Sequence, residues 1–245
     1  MGMFDNLEVE KDITVETEDK IGGGGFAKVD HTGFYDMEIV KAYAGVSQPS
    51  DWSKGGAYNV TIEMKSSEGA FFTLTEYITS GTEKGCKNYY IKDGVKNYLP
   101  GYSKIKALDS LLGNDRDYPA TEKKNLMIWD YDQSKELPVE KEAITSWFGK
   151  RVGVLITKKL EDKFSNKTES VAKYEVQHFL DPVTGQTRNE KTAGVSGFKD
   201  KWLVANPADK VIDKRKESKN SGGGSDTSTP DDSPFGNEED PFPTA

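Results

Sequence analysis

The chain has 245 residues, of which 34% are hydrophobic and 30% charged, and its formal net charge is -8. So low a share of core-forming residues excludes a chain packed throughout its length, and one domain with a segment outside the core is expected. A single cysteine, Cys86, excludes an intramolecular disulfide and points to a reducing compartment, while no apolar run reaches membrane-spanning length and no charged-then-apolar leader opens the chain.

Residues 1–33 are polar and acidic and end in a glycine run, Gly22 to Gly25. They read as an extended arm and loop. A phosphate-binding loop would close its glycines with Lys and then Ser or Thr before a helix, whereas Phe26-Ala27-Lys28-Val29 follows here. From Phe34 to Ser47 apolar and polar residues alternate, with Tyr35, Met37, Ile39 and Tyr43 on one side and Asp36 and Glu38 on the other, which predicts a half-buried strand. Pro49 to Gly56 is a loop. Tyr58 to Lys65 repeats the alternation, and a turn at Ser66 to Gly69 leads into a third strand over Phe71 to Thr79.

Between Ser80 and Lys106 six lysines stand against only Glu83 and Asp93. Within this basic stretch, Asp93-Gly94 flanked by β-branched and aromatic residues predicts a two-residue hairpin. Lys92 then faces Val95, Ile91 faces Lys96, Tyr90 faces Asn97 and Tyr89 faces Tyr98. One side carries Tyr89, Ile91, Lys96 and Tyr98, the other Tyr90, Lys92, Val95 and Asn97, so each combines a flat ring with a cation. Rings that stack on unpaired bases beside ammonium groups that meet phosphates are what single-strand binding requires. The plainer reading is a solvated hairpin whose lysines discourage edge pairing.

Pro100-Gly101 opens a helix whose Tyr102, Ile105, Leu108 and Leu112 follow helical spacing, with Gly113 as its stop. Leu126 to Tyr131 and Ala143 to Phe148 read as a short strand and a short helix inside an insertion. Val152 to Lys159 and Val171 to Phe179 are two further strands, separated by a polar tip at Glu161 to Glu169. Thr192 to Asn206 predicts a last helix that packs Phe198, Trp202 and Leu203 on the sheet. The fold class is thus mainly β: a five-stranded OB-type Greek-key barrel with an added hairpin, a capping helix and a C-terminal helix, spanning residues 34–212. Residues 213–245 form the remaining segment, disordered by composition. Within it, residues 220–245 hold six acids and no Lys or Arg, leaving only -2 for the rest of the chain.

Four blocks, Tyr77-Ile78-Thr79-Ser80-Gly81, Lys84-Gly85, Asn88-Tyr89-Tyr90 and Leu99-Pro100-Gly101-Tyr102, together with the acidic tail, resemble the phage-encoded single-stranded DNA-binding proteins built on an OB fold. The resemblance implies a protein of the host cytoplasm that coats single strands in DNA replication, recombination and repair without sequence preference. It also implies recruitment of replication or recombination proteins through the tail, here Asp231, Asp232 and Phe235, then Glu238, Glu239, Asp240 and Phe242. Bacterial relatives end on such a Phe, whereas this chain continues through Pro243-Thr244-Ala245. Stacking candidates are Tyr89, Tyr90, Tyr98, Tyr77 and Trp52. Lys54, Lys84, Lys87, Lys92 and Lys96 are the phosphate candidates, and Lys150, Arg151, Lys158 and Lys159 make a second possible track.

An enzyme is the weaker expectation. The two histidines, His31 and His178, and Cys86 assemble no zinc spacing and no nucleophile with its base. Asp130 with Asp132 is a solvated strand face more readily than a Mg²⁺ site, so neither a metal nor a cofactor is expected. The alternative in another class is a barrel that recognises polypeptide rather than nucleic acid.

Overall fold

A computed structural model describes residues 29–49, 54–114, 116–130, 132–163 and 166–215. The alternating segments form the strands β1 (Gly33–Val46), β2 (Tyr58–Ser66) and β3 (Phe71–Tyr77), a meander of antiparallel neighbours. Met37 and Ile39 of β1, Val60, Ile62 and Met64 of β2 and Leu74 of β3 point to one side and are buried. A bulge between Ile39 and Lys41 shifts the phase of β1 by one residue. Ala42 therefore faces the core, and Tyr43, expected beside Met37, pairs with Thr61 on the outer face, with Lys141 Nζ 5.4 Å from its ring.

Beyond the meander come the short strands β4 (Tyr89–Lys92) and β5 (Val95–Tyr98), the helix α1 (Pro100–Leu111), and a ribbon of β6 (Glu122–Asp130) and β7 (Lys135–Ala143). The second half of the main sheet is β8 (Arg151–Lys163) and β9 (Asn166–Leu180), followed by α2 (Arg188–Ala193), α3 (Phe198–Ala205) and β10 (Val211–Asp213). β8 pairs with β1 through its first half and in parallel with β10 farther along the same edge; β9 takes the other edge. β10-β8-β1-β2-β3 are successive neighbours, and with β9 paired to the other edge of β8 the order also runs β9-β8-β1-β2-β3. Among the described residues β3 and β9 do not pair with each other, so hydrogen bonding leaves the sheet open where a closed five-stranded barrel was expected. Helix α1 lies against both terminal strands, sending Tyr102, Ile105 and Leu108 into the core and tying Lys104 Nζ to Glu76 Oε1 at 2.7 Å.

Three elements depart from the sequence reading. The insertion is a ribbon of two full strands, and its expected short helix is a single 3-10 turn, Thr145–Trp147. The polar tip belongs to β8 and β9, which run on as a ribbon whose cross-strand ion pairs include Lys173 with Glu161 at 2.9 Å. The C-terminal helix is two helices, because Gly194 takes a left-handed cap and Gly197 has φ 115. Phe198, Trp202 and Leu203 are half-buried, and Phe198 meets His178 with ring centroids 4.7 Å apart.

The 3-10 turn joins the insertion to the core through Trp147, which is fully buried and donates from Nε1 to Oδ1 of Asp109 on α1 at 2.8 Å. Asp109 is buried, and its Oδ2 has no partner among the described residues. Trp147→Phe therefore removes one of the few donors to an already under-satisfied carboxyl group, and a loss of about 2 kcal/mol is expected from urea unfolding midpoints. A loss below about 0.5 kcal/mol would mean that the hydrogen bond is not what holds the turn to the helix.

Candidate nucleic-acid interface

The hairpin forms in the register that its turn residues dictate. Asp93 (φ 51) and Gly94 (φ 78) both take positive φ, and Tyr89, Tyr90, Ile91 and Lys92 pair with Tyr98, Asn97, Lys96 and Val95. It is a two-stranded sheet of its own, held at the root rather than along its sides. Leu99 N donates to Asn88 O at 2.9 Å, and Ser80 N to Lys87 O at 2.7 Å. Lys87 N returns a bond to Ser80 Oγ at 2.9 Å.

Beneath that root the loop before β2 is bound to the 3-10 turn Thr82–Lys84. Thr82 N donates to Gly55 O at 3.1 Å, Lys54 N to Glu83 Oε2 at 3.0 Å, and Cys86 Sγ to Gly56 O at 3.5 Å. On the other side α1 begins directly against the end of β3. A Cβ on Gly101 would stand 2.2 Å from Tyr77 O, so only glycine permits this approach. The four blocks singled out in the sequence are thus one knot in space: the end of β3, the 3-10 turn, the hairpin root and the first turn of α1.

From this base the hairpin presents Tyr89 with two cations near its ring. Lys96 Nζ is 4.9 Å and Lys87 Nζ 5.7 Å from the centre of the Tyr89 ring, within the range of cation–π attraction. Among the described residues neither ammonium pairs with a carboxylate. A cleft of about 340 Å³ opens beside them, lined by Lys84, Lys87, Tyr89, Tyr90 and Leu99 among others. On the Tyr89 face Tyr98 is 56% exposed. Tyr90, on the opposite face, packs against the core while still lining the cleft. Lys92 is half-buried and Lys84 exposed.

The other candidates do not line this cleft. Tyr77 lies on the outer face of β3 and Lys54 is exposed in the loop before β2. Trp52 and the tail residues Asp231, Asp232, Phe235, Glu238, Glu239, Asp240 and Phe242 lie outside the described residues. The second basic track is largely engaged within the fold. Arg151 pairs with Asp36 and Lys159 with Glu175, while Lys158 Nζ donates to Asp30 O at 3.0 Å; Lys150 is exposed. Asp130 Oδ1 accepts from Gln133 N at 2.8 Å inside the turn between β6 and β7. Among the described residues no group of three His, Cys, Asp or Glu side chains is placed to hold a metal ion.

One aromatic residue that the sequence did not single out joins this region. The ring of Tyr102 lies 5.0 Å from that of Tyr98 and 5.5 Å from that of Tyr118, in the loop after α1. Lys106 stands 6.0 Å above Tyr102 and binds Asp117 at 2.7 Å. That hydrogen bond raises the Lys106 pKa above its ordinary value and lowers that of Asp117. No motif could have connected Tyr118 to the hairpin, since α1 and its following loop separate them in sequence.

No family model, curated protein or solved structure matches this chain. No helix among the described residues is long and apolar enough to cross a membrane.

Proposed function

We propose that this protein binds single-stranded DNA without sequence preference, coating exposed strands in replication, recombination or repair. The observation that carries the reading is the Tyr89 ring, which lines the cleft and has the ammonium groups of Lys87 and Lys96 at 5.7 Å and 4.9 Å from its centre. A base stacks on an aromatic ring whatever its identity, and two ammonium groups with no carboxylate partner among the described residues meet the neighbouring phosphates. The strand order β9-β8-β1-β2-β3, with a helix over both terminal strands, supports an OB-type barrel as the scaffold. No metal or cofactor is needed for such binding, and the protein is not an enzyme in this reading. The acidic tail, with its two Pro-Phe pairs, is then a docking peptide for replication or recombination proteins in the host cytoplasm.

The test is a fluorescence titration with oligo(dT) and with duplex of equal length at low and moderate salt. Aromatic quenching, a preference for the single strand and an affinity that falls with salt are expected, and removal of residues 220–245 should leave that preference in place. Absence of binding in both the full chain and the truncated one sinks the reading. A barrel that binds polypeptide would then take its place, favoured by Met127 and Trp129, which are 45% and 50% exposed on the outer face of β6.

A further inference from the structure

The proposed strand contact ends, so far, at the hairpin. The hairpin does not end there as a surface. Tyr98 is the cross-strand partner of Tyr89 and shares its face. Tyr98 also touches Tyr102, and Tyr102 touches Tyr118, so an unbroken run of rings leads from the hairpin over the first turn of α1 to the loop beyond it.

The burial of these rings is uneven in an informative way. Tyr102 is 3% exposed and belongs to the core, whereas Tyr98 is 56% and Tyr118 46% exposed. Two open rings rest on one closed ring. Ordinary core packing would bury all three, and rings of solvation alone would not converge on a common support. Neither the Tyr98 nor the Tyr118 hydroxyl meets a hydrogen-bond partner among the described residues. The loop that carries Tyr118 is pinned on its other side by Asp117, whose carboxylate accepts from Lys106 Nζ. That ion pair is exposed, so it positions the loop more than it stabilises the fold.

We propose that Tyr98 and Tyr118 are a second stacking step for single-stranded nucleic acid, which carries a strand from the hairpin across the first turn of α1. The proposal rests on the reading of the hairpin as a single-strand binding site, and it extends the footprint beyond the cleft. Charge serves the start of this line, where Lys87 and Lys96 stand near Tyr89; beside Tyr102, Lys106 is paired with Asp117. At the far end the Asp117 carboxylate is thus already neutralised.

The experiment compares wild type, Tyr118→Ala, Tyr118→Leu, Tyr118→Phe and Tyr89→Ala on dT oligomers of about 4 and about 12 nucleotides, the first at the lower end of the span of about 4 to 16 that one OB-type barrel covers and the second well inside it. The expected result is a loss of about tenfold for Tyr118→Ala on the longer oligomer, the effect of one missing stack, with the short oligomer unaffected. Tyr118→Phe keeps the wild-type affinity. Tyr118→Leu retains apolar packing on Tyr102 but has no ring, and it should lose as much as alanine; this variant decides the matter if alanine disturbs the loop. The proposal is overturned if the alanine or leucine variant binds the longer oligomer as tightly as wild type while Tyr89→Ala is weakened, and the hairpin reading then survives. If wild type binds neither length, the hairpin reading falls first and takes this one with it.

Discussion

Replacing Lys87 and Lys96 together by alanine is expected to weaken oligo(dT) binding about 60-fold at about 50 mM salt and about tenfold at about 200 mM salt. The reasoning is counterion release. Each ammonium that neutralises a phosphate on a single strand steepens the logarithmic salt dependence by about 0.7, so losing both should flatten it by about 1.4. Both lysines qualify because they stand over Tyr89 with no carboxylate partner among the described residues. Tyr89→Ala gives the contrast. It removes the ring while leaving the cations, and the expected loss is about 2 kcal/mol with an almost unchanged salt slope. A double lysine variant whose salt slope matches wild type would show that these groups serve the hairpin alone and never reach a phosphate.

The first half of the fold could be read from the sequence because each strand there has one wet face and one dry face. Tyr58 to Ser66 is the plain case, with Val60, Ile62 and Met64 buried and Asn59, Thr61 and Glu63 on the other side. The hairpin register followed from Asp93-Gly94 alone, since a two-residue turn fixes every pair behind it. β7 escaped notice for the opposite reason. Its sequence, Lys135 to Ala143, carries three glutamates, two lysines and a proline, because most of it is exposed and its partner is another exposed strand. The end of β8 was hidden as well: Lys158 to Asp162 are all half-buried, so neither face stands out and no alternation marks the strand.

The split of the last helix was written in local chemistry that periodicity overlooks. Thr187 and Glu190 form a capping box, so a helix starts well before Thr192, and Gly194 stops it. The bulge in β1 had no local signal at all, and with it went the side on which Tyr43 lies. At the candidate site the sequence identified the hairpin and the start of α1 at Pro100-Gly101, since both depend on neighbours in the chain, but not the contact with Tyr77 O that requires glycine at 101. Tyr118 depends on α1 docking across β3 and β9, which only the tertiary arrangement brings about.

That docking yields the second large expected effect, Gly101→Ala. On helix propensity alone the change should stabilise the protein by about 1 kcal/mol, since glycine is a poor residue inside a helix. Contact reverses the sign. The new Cβ would lie 2.2 Å from Tyr77 O and 3.0 Å from Tyr77 C, both backbone atoms that no rotamer change can move. The first turn of α1 must then withdraw from β3, loosening Tyr102, Ile105 and Leu108 in the core and stretching the ion pair between Lys104 and Glu76. Overpacking of this kind costs about 3 kcal/mol, and denaturant unfolding reads it directly. Gly113→Ala is the control: it has φ 88 but nothing within 4 Å of its Cβ, so only about 1 kcal/mol of backbone strain is expected. Binding should follow stability, because Leu99 at the start of α1 also anchors the hairpin through Asn88 O. Gly101→Ala should therefore weaken oligo(dT) binding about as much as Tyr89→Ala does, although residue 101 itself has no side chain to touch a base. A Gly101→Ala protein with wild-type stability would show that α1 can leave β3 without cost, and the link from helix to hairpin would fail with it.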